Sequence, residues 1–183
     1  MGLLNVFCRS REFRETLERA RPRLYRVAYA WCHNRALADD LVQDTLTKAL
    51  QRADQLREPA AQEAWLFSIL ANCYRDHFRR ERDTVDIDDV ELPHERSPEF
   101  EHQEHEIVRK VRAAIATLSE GQRQVVTLVD LEGFSYVEVA QILNIPSGTV
   151  MSRLARARAA LKETLIAEVE PARMGQGTIR RIK

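Results

Sequence analysis

The stretch Ser135–Leu161, SYVEVAQILNIPSGTVMSRLARARAAL, constrains the fold more tightly than any other part of the chain. Ser135-x-x-Glu138 has the form of a capping box, in which a serine and a glutamate satisfy the free N–H groups of a helix start. Tyr136, Val139, Ala140 and Leu143 then fall at i, i+3, i+4 and i+7, the apolar face of a two-turn helix. Asn144-Ile145-Pro146 breaks that helix, and Ser147-Gly148-Thr149 starts another that runs past Leu161. Upstream, Ser119-x-x-Gln122 is a second capping box, and Gly133 sits where a left-handed residue would end the intervening helix. A short capped helix, a tight turn and a longer second helix predict a helix-turn-helix.

On that second helix, about 100° per residue places Val150, Leu154, Ala157 and Leu161 on one apolar stripe. Thr149, Ser152, Arg153 and Arg156 share another face, while Arg158 and Lys162 point away from both groups. Small hydroxyl donors beside two guanidinium groups suit phosphates at a helix N-terminus and guanine edges in a major groove. An isolated arginine-rich helix is better explained by solvation. The capped helix and tight turn before this one favour a DNA-reading face.

The remaining chain carries few strand signals and shows helical spacing throughout, so the fold class is all-α. Helices are expected over about 10–20, from Pro22 at a first-turn position to near Asn34, and over about 35–52 and 61–82. Four more follow over about 104–117, 120–132, 136–143 and 148–167. Lys+Arg and Asp+Glu both total 28, but their distribution is uneven. Residues 1–82 hold 15 basic and 11 acidic side chains, residues 83–106 hold 1 and 10, and residues 107–183 hold 12 and 7. Two small helical domains, at residues 8–82 and 107–167, are therefore expected on either side of a flexible acidic linker, 83–106, with a basic tail over 168–183.

The linker carries His94, His102 and His105, which the acids around them make a solvated connector rather than a metal site. Cys8, Cys32 and Cys73 are odd in number and form no CxxC pair, so neither a disulfide framework nor a zinc ribbon is indicated. Packing is the default reading for Cys32 and Cys73. The apolar N-terminal run is too short for a signal-peptide core, and no run approaches the roughly 18 residues of a membrane span. A reduced cytoplasm suits such a chain.

Two faces of the first block stand out. On the helix at 35–52, Asp40, Gln43, Asp44, Thr47 and Gln51 lie together opposite a wide apolar arc. A solvated face and a docking surface for a basic partner explain this equally well. On the helix at 61–82, Trp65, Leu66, Ile69, Leu70 and Cys73 form the buried stripe, and Ser68, Asn72, Arg75, Arg79 and Arg82 share the opposite face. Such a face can follow a single strand electrostatically.

The segment from Glu132 to Leu161 resembles region 4 of extracytoplasmic-function sigma factors, the compact class of bacterial promoter-specificity subunits. The residues carrying the likeness are Glu132-Gly133, Ser135-Tyr136, Glu138, Ala140, Leu143, Pro146, Gly148-Thr149-Val150, Ser152-Arg153-Leu154 and Arg156-Ala157-Arg158. Asn144 replaces the usual turn glycine, and Met151 stands where a basic residue is frequent. Asp40, Gln43 and Asp44 match the D-x-x-Q-[DE] pattern of sigma region 2.

The resemblance implies a region 2 helical bundle and a region 4 helix-turn-helix, with no catalytic residue, metal, cofactor or small-molecule substrate. It implies that Asp40, Gln43, Asp44 and Thr47 dock on the clamp helices of the largest subunit of core RNA polymerase. Ser68, Asn72, Arg75, Arg79 and Arg57 would meet the −10 element of promoter DNA, and Ser147, Gly148, Thr149, Ser152, Arg153 and Arg156 the −35 element. A cognate anti-sigma factor, which in many members tethers the sigma factor at the inner membrane, is the further partner implied. A stand-alone helix-turn-helix regulator leaves the 40–47 face without a task, and a metal enzyme would have to rest on the three linker histidines.

Overall fold

The computed structural model describes residues 3–56, 58, 61–84 and 106–174, with side chains described over 11–56, 58, 61–81 and 108–166. The described residues are helical without a strand: α1 Leu3–Cys32, α2 Arg35–Gln51, α3 Gln62–Thr84, α4 Glu106–Ala116, α5 Glu120–Val126, α6 Tyr136–Leu143 and α7 Ser147–Met174. A 3-10 turn, Ala53–Gln55, follows α2, and a single π turn, Thr127–Leu131, extends α5. The all-α expectation holds. Arg57, the three linker histidines and residues 175–183 lie outside the described residues, as does the side chain of Cys8.

Two helices expected on either side of Pro22 are one. α1 runs unbroken through that proline, although a proline inside a helix forfeits a hydrogen bond to the carbonyl four residues earlier. Pro22 faces solvent, while Leu17 before it and Leu24, Val27, Ala28 and Trp31 after it form one buried stripe. Burial of that continuous stripe outweighs the local loss. At the other end, α7 passes through Pro171 to Met174, beyond the boundary expected near residue 167.

α1 packs along α2, whose Ala38, Leu41, Val42, Thr45 and Ala49 are buried, and α3 completes the first bundle with Leu66, Phe67, Ile69, Leu70 and Cys73. Trp65, expected in the stripe of α3, is only half-buried and leans on Phe13, ring centroids 6.4 Å apart. Phe67 takes the deep position instead, 1 % exposed. On α6, likewise, Tyr136 is exposed, and Val139, Ile142 and Leu143 do the packing.

The two bundles join in a shared core. Trp31 Nε1 donates to Thr127 Oγ1 at 2.7 Å, and the Thr127 hydroxyl lies within hydrogen-bond reach of the Arg123 and Gln124 carbonyls. Phe67 of α3 meets Phe134 edge-to-face, centroids 4.9 Å apart. Arg23 lies over the Phe67 ring and holds Glu132 and Glu63, each at 2.8 Å. Arg123 of α5 reaches His33 at 2.8 Å. Burial pushes the Tyr74 phenol well above its usual range beside Trp31, so it stays neutral and donates to the Trp31 carbonyl.

Candidate nucleic-acid interface

The helix-turn-helix is built by local bonds of the expected kind. At the start of α6, the Ser135 N–H donates to Glu138 Oε2 at 2.8 Å, and the Glu138 N–H donates to Ser135 Oγ at 3.3 Å. The Ser135 hydroxyl also donates to that carboxylate, and these bonds hold the Glu138 pKa below its ordinary 4.5. Before α5, the Ser119 N–H donates to Gln122 Oε1 at 3.2 Å. Asn144 ends α6 in the left-handed region, φ 53° and ψ 51°, so it does the work of the more usual glycine. Its N–H reaches the Gln141 carbonyl, and the Ile145 N–H reaches that of Ala140, a Schellman closure. Gly133, at φ 81°, makes the earlier turn. The Pro146 carbonyl then accepts from Thr149 and Val150, starting α7.

α7 buries Val150, Leu154 and Ala157, with Leu161 packed at the margin, as its spacing requires. Ser147, Gly148, Ser152 and Arg156 are exposed, while Thr149 and Arg153 are half-buried. Ser152 Oγ donates to the Thr149 carbonyl at 3.1 Å. Arg156 Nε donates to the Ser152 carbonyl at 3.1 Å, which folds this side chain back along its own helix. Arg153 turns toward α5. An ideal Cβ built on Gly121 would stand 2.9 Å from both its Cζ and Nη1. Arg158 is committed elsewhere, gripping Asp130 with two bonds of 2.6 and 3.1 Å, and that carboxylate raises its pKa further above the ordinary value.

Along α3, Asn72, Arg75 and Arg79 are exposed and Ser68 is half-buried, its hydroxyl donating to the Trp65 carbonyl at 2.7 Å. Arg75 donates to Asn72 Oδ1 and to the Ala71 carbonyl, and Arg79 pairs with Asp76 at 3.2 Å. On α2, Asp40, Gln43, Asp44 and Thr47 are all exposed. None of the four makes a side-chain hydrogen bond or ion pair with another described residue. Lys48, at the border of that face, is turned inward to Cys73 Sγ at 3.3 Å. No group of three or more His, Cys, Asp or Glu that could hold a metal occurs among the described residues. None of their helices is long and apolar enough to cross a membrane. The residues absent from the sequence reading are Arg23, Arg123 and Thr127, whose partners lie in the other half of the chain.

Residues 16–84 match the family model of sigma-70 region 2, and residues 109–161 that of sigma-70 region 4. The chain is 35 % identical over 152 residues to the ECF RNA polymerase sigma factor EcfG of Rhodopseudomonas palustris, covering 83 % of this chain and 84 % of that one. It is 33 % identical over 155 residues to the ECF RNA polymerase sigma factor SigM of Mycobacterium tuberculosis, covering 84 % of this chain and 76 % of that one. Among solved structures it resembles the sigma factor RpoE of Bartonella quintana, crystallised with the anti-sigma factor NepR. There the TM-score is 0.69 and the identity 31 %, over 84 % of this chain and 96 % of the other. With both regions matched in order and relatives at this identity over most of their length, the chain belongs to the extracytoplasmic-function sigma factors of the sigma-70 family.

Proposed function

We propose that this sigma factor divides its work among three exposed faces. It is a transcription initiation factor, not an enzyme, and directs initiation at specific promoters. Region 2, over residues 8–82, docks the α2 face of Asp40, Gln43, Asp44 and Thr47 on the clamp helices of the largest polymerase subunit. The α3 face, with Ser68, Asn72, Arg75 and Arg79, follows the opened −10 strand, joined by Arg57, which precedes α3 in the sequence. Region 4, over residues 107–167, sets the N-terminal turns of α7 in the −35 major groove, where the Ser147-Gly148-Thr149 end and Ser152, Arg153 and Arg156 meet the DNA.

The observation that carries this reading is the solvent-facing row on α2. Two carboxylates and an amide stand there without an internal partner, which the fold does not require and a basic docking surface would use. A regulator that only binds an operator has no use for such a row. By likeness to RpoE, solved with NepR, control by an anti-sigma factor is part of the same proposal, and the factor works in the cytoplasm, where polymerase is.

Reconstitution tests it. Purified protein is mixed with bacterial core polymerase, and run-off transcripts from a genomic fragment library are sequenced. Discrete start sites preceded by two motifs at fixed spacing are the expected result. Failure to form a complex with competent core polymerase sinks the proposal.

A further inference from the structure

Arg153 and Gly121 lie 32 residues apart in the chain, and the Arg153 guanidinium sits where a side chain on Gly121 would stand. Built on Gly121, a Cβ would stand 2.9 Å from Arg153 Cζ, 2.9 Å from Nη1 and 3.1 Å from Nε. Three atoms of one planar group at nearly equal distance mean that the guanidinium lies broadside over the vacant side-chain position. Glycine is an unfavourable residue inside a helix, and Gly121 is the second residue of α5. A methyl group there would occupy the arginine's seat. The half-buried Arg153 side chain makes no hydrogen bond or ion pair with a described residue, so packing holds it and its N–H donors are uncommitted.

We infer that Gly121 is a positioning residue that parks Arg153 as a phosphate clamp, leaving base readout to Ser152 and Arg156. This rests on the −35 role proposed for α7. A side chain turned from the recognition helix toward its neighbour α5 flanks the groove, where backbone phosphates run. Ser152 and Arg156 remain exposed on α7 itself. Phosphate contacts set register and affinity without carrying sequence information, whereas base contacts carry it.

The test uses holoenzyme reconstituted from the full chain and bacterial core polymerase, bound to a library of −35 variants across a salt series. R153A is expected to weaken every −35 variant by the same factor and to lower the salt slope of binding by about one. G121A is expected to do the same in direction, and to add nothing in the R153A background. Alanine favours the helix, so loss of fold does not confound that variant. G121A/R153K is expected to regain part of the salt slope, because a lysine can carry its charge past the methyl group. R156A, by contrast, changes the preference at particular bases.

A base-specific change in R153A overturns the phosphate assignment. A G121A holoenzyme with unaltered salt slope, or one that weakens the R153A protein further, overturns the positioning role. If the unaltered holoenzyme binds all −35 variants alike at every salt, the −35 reading of α7 itself has failed, which is a separate outcome.

Discussion

Glu132 and Asp44 are both carboxylates, yet the molecule treats them in opposite ways. The Glu132 side chain is 4 % exposed, held by Arg23 at 2.8 Å with Arg26 at 3.7 Å, at a junction where Trp31, Thr127, Phe67 and Phe134 also meet. Asp44 stands in solvent with Asp40 and Gln43 and has no partner among the described residues. Charge withdrawn from water must be paired, because desolvating it alone costs several kcal/mol, on the order of 3–5 when one partner is removed. Charge left in water is free for a partner from outside. The contrast separates side chains that hold the two halves together from side chains left in solvent, available to the docking proposed above.

The strongest way to break the contrast is to empty the junction. Phe67→Ala should destabilise the chain by about 3–5 kcal/mol, read by denaturant unfolding, because a 1 % exposed ring that serves both halves is lost. Thr127→Val keeps the volume but leaves the Trp31 indole N–H buried without its acceptor. That should cost about 1–3 kcal/mol. An effect of Thr127→Val no larger than that of an exposed substitution would mean the junction is not formed in solution.

Ser135→Ala tests a local device. It removes the α6 cap, for a loss of about 1 kcal/mol. It should also flatten the acid limb of the stability curve. Because Ser135 lowers the Glu138 pKa, that stabilisation is complete above the ordinary value of 4.5 and fades as pH falls through the depressed folded value. Urea titrations between neutral and acid pH would show the limb present in the parent and reduced in the variant.

The smallest stability effect belongs to the α2 face. Asp40→Ala and Asp44→Ala together should change stability by no more than about 0.5 kcal/mol, while weakening the complex with core polymerase about tenfold or more. Unchanged polymerase affinity in a competition assay would make the face an ordinary solvated one.

Much of region 4 was legible in the sequence. Both capping boxes, the left-handed residue at Gly133, the helix break at Asn144, and the buried Val150, Leu154 and Ala157 follow from residues a few positions apart. The grouping of Asp40, Gln43, Asp44 and Thr47 on one exposed face is equally a matter of helical period. Misplacements arose where packing overrode a local preference. Pro22 marked a helix start by propensity, but the stripe from Leu17 to Trp31 carries α1 through it. Tyr136 matched the apolar spacing of α6 and is exposed, while Val139, Ile142 and Leu143 of the same helix are buried.

Thus the all-α class, the capped turn and the composition of each exposed face were determined by the sequence alone, since each depends on residues within a turn or two of one another. Only the tertiary structure decided how the halves join and which arginines of α7 remain free. Trp31 meets Thr127 across 96 positions and Arg23 meets Glu132 across 109, and neither pairing leaves a periodic trace in the chain. The same holds for Arg153, Arg156 and Arg158. One lies over Gly121, one follows its own helix and one is bound to Asp130, because what lies opposite each guanidinium comes from another element, or from the turn behind it, and not from its helical angle.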